Sequence, residues 1–307
     1  MRKGSFGILM SLLVVLALCR GSSYGFTKLA LGTMTSSDVL FLRMAVGAVA
    51  LTLWACLSVR SLGWVASDWR CAMAYAILGN ALPLALITVA QKWVASGLAA
   101  VTMAATPLVC AVLAHLMLPN ERLTLRGVFG LLLGLAGVLG IVLVRGGVQL
   151  GPDALIGLAA LFGAAVAFAG NVVLARAWQP TQQMGTGALS LILATVAVYP
   201  FCDVDAGLVA HSWDAMMACV LLGVISTAMA VVAMLELAKR ASASFISTVN
   251  YMIPVIGLAI GWMFFGEPLF WSDLAALIVI VLGTSMVQNR NGTERKPWIL
   301  RAIERRT

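Results

Sequence analysis

Long apolar runs separated by short polar gaps occupy almost the whole chain. Each run is close to the 17 to 25 residues that a helix needs to cross a bilayer, and none alternates apolar and polar residues as a membrane β-barrel strand does. The pattern predicts an all-α membrane protein with ten transmembrane helices. The predicted helices are Ser5–Leu29, Asp38–Leu57, Cys71–Ala90, Ser96–Leu118, Leu125–Val144, Leu155–Ala177, Met184–Phe201, Asp214–Leu237, Ala243–Phe265 and Ser272–Val287.

The composition agrees with this prediction. The 307 residues are 62% hydrophobic and 10% charged, and the mean hydropathy is +1.01, which is more apolar surface than a soluble core of this size could bury. The N-terminal run is expected to be a retained first span, since no small-residue cleavage pattern follows it. The lipid bilayer is therefore the expected surroundings of the chain.

The positive charges predict the orientation. The net charge is +8, but the basic residues stand singly or in pairs between apolar runs, except in the tail, so a nucleic-acid partner is not expected. With the N-terminus inside, fifteen of the 20 Lys and Arg residues fall on the cytoplasmic side. The remaining five are Arg20, Lys28, Arg43, Lys92 and Arg145. We expect an inner-membrane protein with both termini in the cytoplasm.

Two similar stretches predict an internal repeat. "KWVASGLAAVTMAATP" (Lys92 to Pro107) resembles "KRASASFISTVNYMIP" (Lys239 to Pro254), and 147 residues separate the two copies at each end. Five predicted helices lie between the copies, an odd number, so the repeats should be inverted, as in many secondary transporters. The predicted units are residues 1–147, residues 148–289 and a basic cytoplasmic tail, residues 290–307. Because one chain contains both halves, a monomer is sufficient.

Catalytic and metal-binding patterns are absent from the sequence. It has no HExxH, GxSxG or P-loop motif, and its six cysteines have no metal-ligand or CxxC spacing, so neither an enzyme, a metal site nor a cofactor is expected. All twelve acidic residues fall outside the middle of the predicted spans. Since a buried proton relay or a strong cation site places a carboxylate near the midplane, proton-coupled cation antiport is disfavoured.

Candidate binding residues lie at mid-depth in the predicted helices. Pro107 and Pro254 have no N–H, so the carbonyls of Met103 and Asn250 should lack their helical partners. Either these carbonyls line a cavity, or the prolines only kink the helices. Arg20 could reach outward to the membrane interface or hold a substrate carboxylate. Neutral polar side chains at similar depth complete the candidate substrate site: Asn80, Thr102, Thr106, Asn171, Thr227, Asn250 and Tyr251.

A repeated motif resembles a known family. Each copy has a polar residue, K-x-x-[AS]-[AS], a mid-helix proline and then [GN]-E, at Asn120–Glu121 in the first copy and Gly266–Glu267 in the second. This pattern is similar to the EamA domain of the drug/metabolite transporter superfamily, although glycine is usual where Asn120 stands. The resemblance implies a ten-helix carrier of small metabolites, similar to bacterial exporters of aromatic amino acids or of threonine and homoserine.

The sequence therefore favours a facilitative exporter of small metabolites, amino acids including aromatic ones, that works by alternating access. Three alternatives stay open. The first is a multidrug or organic-cation exporter of the same fold. The second is a sugar or nucleotide-sugar carrier that uses Arg20, and the third, which is disfavoured, is a membrane-embedded lipid-processing enzyme.

Overall fold

The computed structural model describes residues 3–58, 68–117, 124–146, 153–177, 182–202, 212–240 and 249–287. In these residues the chain forms helices joined by short turns, and it contains no strand, so the all-α prediction is confirmed. We number the helices α1 (Lys3–Ala30), α2 (Ser36–Ser58), α3 (Trp69–Ala90), α4 (Ser96–Met117), α5 (Leu125–Gly146), α6 (Ala154–Ala177), α7 (Gln183–Val198), α8 (residues 213–240), α9 (Val249–Phe265) and α10 (Trp271–Val287).

Seven of the helices in this described part are long and apolar enough to cross a membrane, judged by length and composition. Shorter apolar stretches lie in the other three, namely Leu125–Gly137, Met252–Phe265 and Trp271–Gly283. The number of ten spans stays a prediction. The basic tail, residues 290–307, and the pair Asn120–Glu121 lie outside the described residues.

Apolar side chains cover the outside of the bundle. Leu57, Phe201 and Trp271 are 87%, 78% and 86% exposed, and Phe264 is 74% exposed near the end of α9. Exposed apolar surface of this extent is typical of a membrane protein, because lipid rather than water contacts it. The core instead consists largely of alanine, leucine and glycine, which allow the helices to approach closely.

The helices of the two halves pack in a matching pattern. Three contacts of one half have a counterpart in the other. Helix α1 packs on α9 as α6 packs on α4, α2 packs on α8 as α7 packs on α3, and α3 packs on α6 as α8 packs on α1. Each pair becomes the other when the helix numbers of the halves are exchanged. The remaining main pairs, α2 with α7, α4 with α9 and α5 with α10, join equivalent helices. This pattern supports the hypothesis of two related halves.

The Gly-Glu motif of the second half closes a contact between the halves. Gly266 has a φ of 61°, a left-handed conformation that suits glycine, and it ends α9 so that the chain turns back. The carboxylate of Glu267 then accepts hydrogen bonds from the backbone N–H of Ser96 (2.8 Å), the Ser96 hydroxyl (2.8 Å) and the backbone N–H of Gly97 (2.9 Å). Because Ala95, at the N-cap position, provides no side-chain cap, Glu267 caps α4 from the turn that follows α9.

Candidate functional site

Two π-helical segments mark the middle of the bundle. Tyr75–Ala81 forms one inside α3, and Leu222–Met229 forms the other inside α8. In α3 the Asn80 side-chain amide donates to the carbonyl of Tyr75 (3.0 Å), and in α8 the Thr227 hydroxyl donates to the carbonyl of Leu222 (2.9 Å). Both bonds reach back five residues, and they lie 147 residues apart. Such π-segments are frequent at functional sites, since they widen the helix and re-aim its side chains.

Each π-segment is tied to a helix of the other half. The Asn80 amide also donates to the hydroxyl of Ser190 in α7 (3.2 Å), and the Arg43 Nε of α2 donates to the Thr227 hydroxyl (3.3 Å). Arg43 and Ser190 are again 147 residues apart, so the two cross-links are counterparts. The sequence analysis identified Asn80 and Thr227 but did not include Arg43 or Ser190. A comparison of all polar residues that lie 147 positions apart, and not only of the motifs, would have paired Arg43 with Ser190.

Asn171 of α6 lies against the π-segment of α3. Its side-chain amide is so close to Gly79 that a β-carbon there would lie 2.8 Å from Nδ2 and 3.0 Å from Oδ1. The Oδ1 atom is buried and has no hydrogen-bond partner among the described residues. An acceptor of this kind favours a ligand or water that donates to it. Asn171 thus lies beside Gly79, the residue that precedes Asn80.

Arg20 lies on the inner side of α1. Leu18, which is 51% exposed towards lipid, is two residues earlier, or about 200° around the helix. On the same side as Arg20, Leu16 and Tyr24 are 0% and 8% exposed, one turn before and one turn after it. Arg20 itself is exposed. Arg20 therefore projects from the side of α1 that packs into the bundle, and this geometry favours a position inside the bundle over the lipid interface.

Arg20 and Tyr24 of α1 and Arg43 of α2 lie within a few residues of each other in depth along their helices. Arg43 is 5% exposed and lies seven residues into α2, about 10 Å from its start, while Arg20 lies about 15 Å from the end of α1 that adjoins it. The three side chains are thus at similar depth in the bundle.

The proline in α4 breaks its helix differently from the sequence expectation. Helix α4 consists of Ser96–Met103 and Thr106–Met117, with a turn between them before Pro107. The prediction that the Met103 carbonyl would be exposed is wrong, because the Thr106 hydroxyl donates to it (2.6 Å). The Thr102 hydroxyl likewise donates to the carbonyl of Leu98 (2.9 Å). Both threonines therefore use their donor within α4, although their oxygens can still accept a hydrogen bond.

The proline in α9 lies inside a continuous helix. Helix α9 runs from Val249 to Phe265 through Pro254, and Pro254 is buried. The ring cannot donate to the carbonyl of Asn250, which is half-buried in the first turn. The side chain of Tyr251 lies outside the described residues. Within the part that the structure describes, no group of three or more His, Cys, Asp and Glu residues could hold a metal ion.

Comparison with known proteins places the chain in a family. The model of the EamA-like transporter family matches twice, over residues 6–143 and 155–288. A protein described as the uncharacterized transporter YvbV of Bacillus subtilis (strain 168) is 25% identical over 296 residues, which is 92% of this chain and 92% of that protein. A crystal structure of a protein superposes with a TM-score of 0.64 and 18% identity, over 99% of this chain and 100% of the other.

The family match covers nearly all of the described helices, and the match to the solved structure shows the same fold. The descriptions of the family and of the Bacillus relative point to transport rather than catalysis. The chain is a multi-pass membrane protein and belongs to the EamA-like transporter family.

Proposed function

We propose that this transporter exports small metabolites, amino acids including aromatic ones, across the bacterial inner membrane, down their concentration gradient. The observation that carries the proposal is the pair of π-segments, each with a polar residue that reaches a helix of the other half. Polar side chains are costly inside a membrane unless they bond to each other or to a substrate. Their concentration at the junction of the halves supports a binding site there.

Arg20 supplies the charge that an amino-acid carboxylate needs. Arg20 is exposed on the inner side of α1, and a planar guanidinium binds a carboxylate through two parallel hydrogen bonds. The unpartnered Oδ1 of Asn171 is an acceptor for the donors of a substrate. Arg20 and Arg43 also argue against an exporter of organic cations, since their positive charges would repel a cationic drug.

We further propose that the two halves are inverted and exchange access from one side of the membrane to the other. The matching helix pairs and the shared displacement of 147 residues support a common origin of the halves. Two similar bundles of opposite orientation can open alternately around one site. Both halves belong to one chain, so the monomer is expected to be sufficient, and both termini are expected in the cytoplasm.

Counterflow in liposomes tests the proposed function. The full chain would be reconstituted, preloaded with unlabelled amino acid and given labelled phenylalanine, tryptophan, threonine or methionine, with and without a pH gradient. Accumulation that does not depend on the pH gradient is the expected result. Gradient-driven flux would instead mean proton coupling, and no flux of any of the four would refute an amino-acid substrate.

Variants locate the site in the same assay. The double substitution Asn250→Ala, Tyr251→Ala and the single substitution Asn80→Ala are expected to reduce counterflow or change its selectivity. Ser11→Ala is the control, because the Ser11 hydroxyl lies on the exposed side of α1 and donates to the carbonyl of Gly7. If the site variants behaved like this control, the site would lie elsewhere.

A further inference from the structure

The two segments of α4 have different neighbours. The first segment, Ser96–Met103, packs on α9, and each of its residues is buried. The second segment, Thr106–Met117, packs mainly on α6, and α9 is not among its main partners in the part of the chain that the structure describes. The change of neighbour coincides with the turn before Pro107. Helices α4 and α9 therefore contact each other closely at one end and diverge towards the other.

Two glycines bring the helices together at the end where they touch. A β-carbon at Gly97 of α4 would lie 3.0 Å from Cδ2 of Leu258, and one at Gly257 of α9 would collide with the β-carbon of Ala100. Leu258 is 6% exposed and Ala100 is 0% exposed, so neither lipid nor water enters this contact. This end of the α4–α9 contact is therefore closed in the structure.

At the other end each helix packs on different partners. Val249, the first residue of α9, belongs to an apolar cluster with Leu13 of α1 and Leu237 of α8. In the second segment of α4, Leu108 packs on α5 so closely that a β-carbon at Gly134 would collide with it. The diverging end is the one at which α4 ends and α9 begins. By the predicted orientation it is the cytoplasmic end, and the closed end is expected to be periplasmic.

Glu267 holds the closed end together. Its carboxylate accepts hydrogen bonds from the N–H and the hydroxyl of Ser96, both at 2.8 Å, and from the N–H of Gly97 at 2.9 Å. The hydroxyls of Thr33 and Ser212 also join the halves at this end, at 3.2 Å, but this bond is exposed and neutral and contributes less. Because α4 and α9 belong to different halves, the bonds of Glu267 must break when the halves separate here.

We propose that α4 and α9 form a gate, and that the Glu267 carboxylate keeps it closed and must leave Ser96 and Gly97 before the transporter opens at this end. The first segment of α4 can tilt away from α9 at the turn before Pro107, since the proline donates no hydrogen bond back to it. This inference rests on the alternating access proposed above, but it does not depend on the substrate.

Thiol labelling at the contact tests the gate. In an otherwise cysteine-free chain, Leu258→Cys places a thiol beside Gly97, and a membrane-impermeant methanethiosulfonate reagent is added to one side of sealed membrane vesicles. In Glu267→Gln, the loss of one charge-assisted hydrogen bond is expected to raise the labelling rate from the Glu267 side about tenfold or more. The rate from the opposite side should not change. An unchanged rate from the Glu267 side would overturn the inference.

Control variants separate the gate from a general loosening of the bundle. Asp214→Asn removes an exposed carboxylate at the start of α8, at the same end, and should leave the labelling rate unchanged. An equal rise in this control, or an equal rise from both sides in Glu267→Gln, would overturn the role of Glu267. If Glu267→Gln does not fold, Ser96→Ala replaces it and removes one of the three donors. Its expected effect is a rise of about threefold or more, and an unchanged rate would equally overturn the inference.

The labelling experiment is independent of the transported substrate. Labelling requires no amino acid, so its result is separate from that of the counterflow assay. A raised labelling rate without flux of any amino acid would retain the gate and refute the proposed substrate. Counterflow of amino acids with unchanged labelling would support the substrate and refute the gate.

Discussion

Removal of the Glu267 carboxylate should loosen the contact between α9 and α4. Three donors of Ser96 and Gly97 converge on this carboxylate, at 2.8, 2.8 and 2.9 Å. In Glu267→Gln the amide oxygen can keep the donors of Ser96, but the amide nitrogen faces the N–H of Gly97 and cannot accept from it. The variant thus loses one charge-assisted hydrogen bond and the favourable charge at the start of α4.

The expected cost follows from these two losses. A hydrogen bond to a charged group contributes about 1.5–3 kcal/mol, and a negative charge at a helix N-terminus about 0.3–1 kcal/mol. Because Glu267 is half-buried, the lower values apply, and we expect Glu267→Gln to lower the unfolding free energy by about 2 kcal/mol. Glu267→Ala, which leaves all three donors unbonded, should cost about 3 kcal/mol or more.

Unfolding by SDS in mixed micelles, followed by tryptophan fluorescence, measures these differences. Asp214→Asn is the matched control, since Asp214 is an exposed acid in the first turn of α8 and should report the helix-dipole contribution alone, about 0.3–1 kcal/mol. Gly261→Ala is the positive control, because a β-carbon at Gly261 would collide with the Glu267 carboxylate. If Glu267→Gln cost no more than Asp214→Asn, the proposed cap across helices would be wrong.

Three further predictions concern packing, the site and a thiol. Gly283→Ala should cost about 1–3 kcal/mol in the same unfolding assay, because its β-carbon would lie 2.5 Å from the carbonyl oxygen of Gly130. The control Gly140→Ala, with open space around the new β-carbon, should change the unfolding free energy by no more than about 1 kcal/mol. Equal effects of the two variants would refute the close packing of α5 and α10. Asn80→Ala should lower the unfolding free energy by about 1–3 kcal/mol, since the Tyr75 carbonyl loses its donor, and an unchanged stability would contradict the bond. Burial raises the pKa of Cys202 to about 11. In a single-cysteine variant, the rate at which iodoacetamide alkylates Cys202 should therefore rise about tenfold per pH unit from pH 8 to 10. A plateau of this rate near pH 9 would be inconsistent with the raised pKa.

The helix positions were largely predictable from the sequence. The predicted second helix, Asp38–Leu57, differs from the observed Ser36–Ser58 by one or two residues, and the predicted tenth, Ser272–Val287, begins one residue late. Apolar run length determines these bounds, because the bilayer requires a minimum length and polar residues collect at the ends. The fold class followed for the same reason.

The site was predictable only where the repeat made it visible. Asn80 and Thr227 share the displacement of the motifs and were both candidate residues, and both lie in π-segments of the structure. The π-segments themselves have no periodic signal, and the Arg43–Thr227 contact joins residues 184 positions apart. The Met103 carbonyl was predicted wrongly, since the missing proline N–H is evident from sequence but the rotamer with which Thr106 replaces it is not.

The difference between the halves bears on how alternating access could work. If both halves were chemically identical, the substrate would meet equal partners in each, and its affinity would not depend on which half it contacted more closely. Here the hydrogen bonds of the π-segments are matched, but Arg20 and Arg43 of the first half correspond to the neutral residues Ala167 and Ser190 of the second half. A ligand can shift a conformational equilibrium only by its differential affinity for the two states. An amino acid whose carboxylate is held at Arg20 would therefore favour whichever state brings the unpartnered Oδ1 of Asn171, in the second half, closest to its ammonium group.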